Sequence, residues 1–129
     1  MNYYSNKLIK HGHFDKVIQK VTEALKEEGF GVLTEIDVRD TFKKKIDVDF
    51  RPYKILGACN PQFAYKALQA EDKIGTMLPC NVIVQQTDVD TIDVAVVDPV
   101  ASMQAVGNKD LESIAGEVRD RLKRVLEKL

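Results

Sequence analysis

Pro79-Cys80-Asn81-Val82-Ile83-Val84-Gln85-Gln86-Thr87-Asp88-Val89-Asp90-Thr91-Ile92-Asp93-Val94-Ala95-Val96-Val97 is the stretch from which the fold is read. Val82 and Val84 recur at the two-residue period of a strand, and Ile92, Val94 and Val96 do the same after the polar Thr87-Asp88-Val89-Asp90 segment. The stretch is therefore a β-hairpin with strands over 79–86 and from Ile92 onward. Its apolar row needs a cover, and the end of the chain supplies one. Leu111, Ile114, Ala115, Val118, Leu122, Val125, Leu126 and Leu129 trace one stripe, flanked by Glu112, Glu117, Arg119, Asp120, Arg121, Lys123 and Arg124. That is the pattern of a long amphipathic helix lying on a core.

Working outward, Phe14, Val17, Ile18, Val21, Ala24 and Leu25 repeat the helical spacing, with Asp15 in the first turn, Lys26 in the last and Gly29 placed to stop the helix. Tyr3 to Ile9 reads as a first strand, rich in β-formers but poorly alternating, at an edge. After Gly31, Val32, Thr34, Ile36 and Val38 alternate with Leu33, Glu35 and Asp37, which makes a second strand. Val38, Phe42 and Ile46 then define a short helix whose Lys43, Lys44 and Lys45 form a solvated face. Pro52 can open a strand but not occupy its middle, so a third strand runs from Pro52 to Ala58. Asn60-Pro61 and Asp98-Pro99 each match an N-cap followed by a first helical residue. The first starts a helix through Ala64, Ala67 and Leu68, and the second a short one through Met103 that Gly107 closes. Two long one-faced helices and an apolar sheet face give an α+β two-layer sandwich.

The chain has 129 residues, which fits one domain over 1–129. Nineteen Lys plus Arg against twenty Asp plus Glu leave a formal charge of −1, so no basic field exists to hold nucleic acid or an anionic membrane. No apolar run approaches the ~20 residues of a bilayer span. Met1-Asn2-Tyr3-Tyr4-Ser5-Asn6-Lys7 lacks the charged start and apolar stretch of a signal peptide, so a cytoplasmic location is expected. Two cysteines are too few for a disulfide scaffold and are expected to be reduced.

Chemistry concentrates where the cysteines lie, in Gly57-Ala58-Cys59-Asn60-Pro61 and Leu78-Pro79-Cys80-Asn81-Val82. Cys59 sits before a helix N-terminus, where unpaired amides and the positive dipole end lower a thiol pKa and attract an anion. If the two strands are neighbours, both thiols face one crevice with Asn60 and Asn81. The bland alternative makes both cysteines small buried hydrophobes, the commoner fate of free Cys. Zinc is a weaker reading, because the spacing is not the short ladder of structural zinc sites and only His11 and His13 offer nitrogen ligands. No metal site is therefore assigned. Gly29-Phe30-Gly31 lacks the further glycine and helix of a dinucleotide loop.

Tyr53-Lys54-Ile55-Leu56-Gly57-Ala58-Cys59-Asn60-Pro61, Ala64, Ala67-Leu68 and Ile74-Gly75-Thr76-Met77-Leu78-Pro79-Cys80-Asn81-Val82 resemble the signature of the bacterial and archaeal family called domain of unknown function 302. Glu28-Gly29-Phe30-Gly31-Val32-Leu33-Thr34-Glu35-Ile36-Asp37 and Asp98-Pro99 also resemble its pattern, so the likeness spans nearly the whole chain. The resemblance implies a fold similar to the TATA-binding-protein-like group, a curved antiparallel sheet of β-α-β(4)-α type with helices on one face. It also implies that Cys59, Asn60, Pro61, Pro79 and Cys80 form one cluster. It brings no reaction, cofactor or catalytic residue.

The function expected from the sequence is that of a small binding domain, taking a small or anionic ligand at Cys59, Asn60, Cys80 and Asn81. Available edge strands and the symmetric habit of soluble oligomers add the expectation of a homodimer. The alternative is a thiol-based redox or metal-binding protein, with Cys59 as nucleophile and Cys80 as its resolving partner.

Overall fold

The computed structural model describes residues 2–129. Five strands, β1 (Tyr4–Lys10), β2 (Gly31–Asp37), β3 (Tyr53–Cys59), β4 (Cys80–Asp88) and β5 (Thr91–Val97), form one antiparallel open sheet in the order β1-β5-β4-β3-β2. The helices are α1 (Phe14–Glu27), α2 (Val38–Ile46), α3 (Pro61–Ala70), α4 (Pro99–Met103) and α5 (Lys109–Glu127), and a 3₁₀ segment, Asp72–Met77, joins α3 to β4. This is the expected α+β architecture, a sheet packed with helices. The first strand lies at an edge and starts one residue later than the Tyr3 the sequence suggests.

Alternation assigns the two faces. Leu56, Val82, Val84, Ile92, Val94 and Val96 are buried beneath Val17, Val21 and Leu25 of α1 and Val118, Leu122 and Val125 of α5, in one continuous core. Each such branched side chain contributes ~1.5–3 kcal/mol by leaving water. A second, smaller cluster of Ala67, Ile74 and Leu111 packs α3 and the 3₁₀ segment against the start of α5.

Both proline-led caps form as their chemistry requires. Asn60 Oδ1 accepts from the Phe63 amide at 3.4 Å, and Asp98 Oδ1 accepts from the amides of Val100 at 2.9 Å and Ala101 at 3.4 Å. Gly29 and Gly107 close α1 and the α4 region at φ of +86° and +68°, values that suit a residue without Cβ. Glu28, just past α1, clamps that helix to α5. Its carboxylate accepts from Arg124 Nε and Lys128 Nζ, both at 2.9 Å, and its carbonyl accepts from Arg121 Nη1 at 3.0 Å. The Lys128 hydrogen bond holds the Glu28 carboxyl below its ordinary pKa; partial burial pushes the other way, and Arg124 adds to the lowering.

Two features depart from the sequence reading. The Val32, Thr34, Ile36 row does not stay on one face, because the register slips between Val32 and Thr34. Val32 packs against the core opposite Ala58, whereas Thr34 and Ile36 pair with Gly57 and Ile55 on the other side. A β-bulge at Leu33 is the physical cause, since one extra residue reverses every side chain beyond it. The helices, moreover, do not all keep to one face. α2 has no buried residue, and its Phe42 and Val38 share a hollow with Ile36, Tyr53 and Ile55 of the opposite face.

Candidate functional site

The cysteine-bearing ends of β3 and β4 do lie side by side, with Ala58 paired to Cys80. Cys59, Asn60 and Cys80 line a cavity of about 40 Å³ beneath Phe63, Met103 and Val118, with almost wholly apolar walls. A space of that size takes water-sized groups, well short of the ~150 Å³ in which an apolar cavity takes up benzene. Both cysteines are free thiols. Burial pushes the Cys80 thiol up to about 11, and the neighbouring Cys59 adds to the rise. Cys80 is therefore protonated at neutral pH, the opposite of what thiolate chemistry draws on. Asn60 is already committed to capping α3, and its amide nitrogen lies so close to Gly29 that a Cβ there would sit 2.9 Å away.

Asn81 does not join this group. It follows Cys80 in the same strand, so its side chain turns to the other face, where it lines a separate hollow. The expectation of one crevice shared by Cys59, Asn60, Cys80 and Asn81 is corrected accordingly: three meet in the small cavity, and the fourth faces away. Among residues 2–129 no group of three or more His, Cys, Asp or Glu is gathered in the manner of metal ligands. No helix among them is long and apolar enough to cross a membrane.

The hollow that Asn81 faces occupies the open side of the sheet and measures about 430 Å³. Ile83, Ala95 and Val97 give it an apolar floor, Tyr3 and Tyr4 stand at one side and Tyr53 at the other. Strand register explains its polar line. Tyr53 pairs with Gln85, Gln85 with Asp93 and Asp93 with Leu8, so these side chains cross the sheet on one level. Asn6 Nδ2 donates to Asp93 Oδ1 at 2.9 Å, Gln85 Nε2 donates to Asp93 Oδ2 at 3.3 Å, and Arg51 Nε donates to Gln85 Oε1 at 2.8 Å. Arg51 is stacked 4.3 Å from the Phe50 ring centre and 5.7 Å from that of Tyr53. Gly57 is fixed by the same face: a Cβ there would collide with Thr34 Oγ1 and come within 2.7 Å of Pro79 Cγ.

Gln85 and Asp93 were not marked as site residues by the sequence. The signal that finds them is parity. Asn81, Gln85 and Asp93 are polar positions out of phase with Val82, Val84, Val94 and Val96, and they share a face with the apolar Ile83 and Ala95.

Fold and geometry together define a small α+β domain whose five-stranded open antiparallel sheet is buried under helices on one face and bare over much of the other. The chain belongs to the family described as Domain of unknown function DUF302, whose model matches residues 6–129. It is similar to the crystal structure of an uncharacterized conserved protein DUF302 from Bacillus stearothermophilus, with 29% sequence identity, a TM-score of 0.89, and coverage of 98% of this chain and 97% of that one. No curated protein matches the chain.

Proposed function

We propose that this chain is a small-molecule-binding domain whose ligand lies on the open face of the sheet. The observation that carries the reading is the hollow of about 430 Å³, within the ~300–1,000 Å³ range of small-molecule sites. Its make-up agrees, since an apolar floor of Ile83, Ala95 and Val97 with a few polar groups, Asn81, Gln85 and Asp93, is how such sites combine affinity with orientation. Of the four residues expected from the sequence, Asn81 belongs to this site. An anion at Cys59, Asn60 and Cys80 has less in its favour: the cavity there is almost wholly apolar and about 40 Å³.

Saturation-transfer NMR with a fragment library tests the reading on wild type and two variants. Ala95→Leu, which narrows the hollow, and Asn81→Ala, which removes a polar contact, are each expected to weaken the hits while leaving the thermal midpoint close to wild type. Hits that survive both substitutions, or that vanish instead on alkylation of Cys59, would sink the open-face site and restore the cysteine cleft. The homodimer is carried as a proposal in one form, pairing of two copies through the outer edge of β1, whose one neighbour among the described residues is β5. Sedimentation velocity showing a single monomeric species up to millimolar protein would remove it.

A further inference from the structure

We infer that the open-face hollow takes an organic ammonium ion, a molecule with an apolar or aromatic body and one positive nitrogen, with Asp93 as its counter-ion. This rests on the open-face reading above and adds the chemical class of the ligand. Among the described residues that line the hollow, Asp93 alone carries a formal charge. Its oxygens accept hydrogen bonds from two neutral amides, those of Asn6 and Gln85, and among the described residues it forms no ion pair. An ionised carboxylate offers about four lone-pair positions, so two neutral donors leave it both unneutralised and able to accept more.

The neighbouring cation is held away from it. Arg51 donates to the carbonyl oxygen of Gln85, whose amide nitrogen in turn donates to Asp93, so one neutral side chain stands between guanidinium and carboxylate. Stacking on Phe50 and Tyr53 fixes the guanidinium on the β3 side. The hollow thus keeps a negative charge at one level of an apolar floor, with tyrosine side chains lining it at both sides. The apolar floor takes the hydrocarbon body of an organic ammonium ion, and Tyr3 and Tyr4 at the β1 side add aromatic surface, whereas the Tyr53 ring is already engaged by Arg51. An anion of the same shape meets the Asp93 charge in a partly desolvated hollow. A neutral analogue fills the floor but leaves the carboxylate without a counter-charge.

The test uses the full chain and three probes of one shape: phenylbutylammonium, phenylbutanol and phenylbutyrate, titrated by calorimetry with parallel amide NMR. The ammonium compound should bind about tenfold more tightly than the alcohol, and the carboxylate should bind most weakly. Asp93→Asn should bring the ammonium to the level of the alcohol, and Arg51→Gln should strengthen the ammonium roughly twofold by removing a like charge. Equal binding of all three probes, with shifts at Ile83 and Val97, would overturn the ammonium assignment while leaving the open-face site standing. A preference for the ammonium that persists in folded Asp93→Asn would also overturn it. Failure of every probe to shift any open-face amide would overturn both the assignment and the site.

Discussion

The two faces of the sheet are made by alternate residues of the same strands, and they meet opposite fates. Val82, Val84 and Val94 are fully buried under α1 and α5, whereas Ile36 on the other face is 48% exposed and Leu8 54%. Burial of apolar area is the main favourable contribution to folding, so a face left open adds little to stability. β-branched and aromatic side chains nonetheless occupy it, arranged about a line of hydrogen-bonded polar groups. The difference teaches that parity along one strand separates the side chains that stabilise the fold from those left free for the proposed ligand site. A residue and its immediate neighbour then answer to different demands.

The contrast breaks most visibly in the core. Leu122→Ala removes a fully buried side chain of α5 and is expected to cost roughly 2 to 5 kcal/mol, a large share of the ~5 to 15 kcal/mol that holds such a domain together. Urea unfolding checks it. An unchanged midpoint with an unchanged m-value would mean that the helix stripe is not core.

A second expectation separates the small cysteine cavity from a reactive site. With its pKa raised from 9.0 to about 11, the Cys80 thiol should be alkylated at pH 8 roughly a hundredfold more slowly than a thiol at its ordinary pKa, and denaturant should restore the rate. Mass spectrometry after timed iodoacetamide exposure reads this directly. Fast native labelling of Cys80 would return the thiol alternative to first place.

The α1–α5 clamp gives a smaller, pH-dependent effect. Because the folded state lowers the Glu28 pKa, the clamp's contribution is complete above the ordinary glutamate value of 4.5 and is lost as pH falls through the lower folded value. Glu28→Gln should cost about 1 kcal/mol at neutral pH, a modest figure because solvent screens the Arg124 side of the pair. The cost should shrink as pH falls from 4.5 toward the lower folded-state pKa of Glu28. A variant whose deficit is the same at pH 7 and at pH 3 would show that the charge of Glu28 is not what binds the helices.

Least should happen on the open face. Ile36→Thr keeps a β-branched residue where the side chain is half in water, and its effect should stay within ~0.5 kcal/mol. A loss comparable to that of Leu122→Ala would mean that Ile36 is packed against α2 far more tightly than its 48% exposure indicates.

Much of this division was legible in the residues, and some was not. The period of Val82/Val84 and Ile92/Val94/Val96 placed the hairpin, and the Leu111 to Leu129 stripe placed α5, because burial on one side imposes a period that no other demand erases. Asn60-Pro61 and Asp98-Pro99 marked two helix starts through cap chemistry alone. The bulge at Leu33 carried no signal: Val32, Leu33 and Thr34 all suit a strand, and only pairing with Ala58 and Gly57 shows that one residue is extra. α2 was found, but its side of the sheet was not, because a helix with no buried residue has no stripe to orient it. The separation of Cys80 from Asn81 was within reach, since adjacent strand residues point to opposite faces. The matching Cys-Asn pairs of the two segments point instead to one cluster, and strand parity outweighs that likeness.

The central claim is that the inner face stabilises and the open face binds, and methyl-resolved NMR of the full chain titrated with phenylbutylammonium tests it most directly. The account predicts shifts confined to Ile83, Ala95 and Val97, with Val82, Val84 and Val94 unmoved although each lies next in sequence to one of them. Shifts concentrated on the inner valines, or around Cys59 and Cys80, would contradict it.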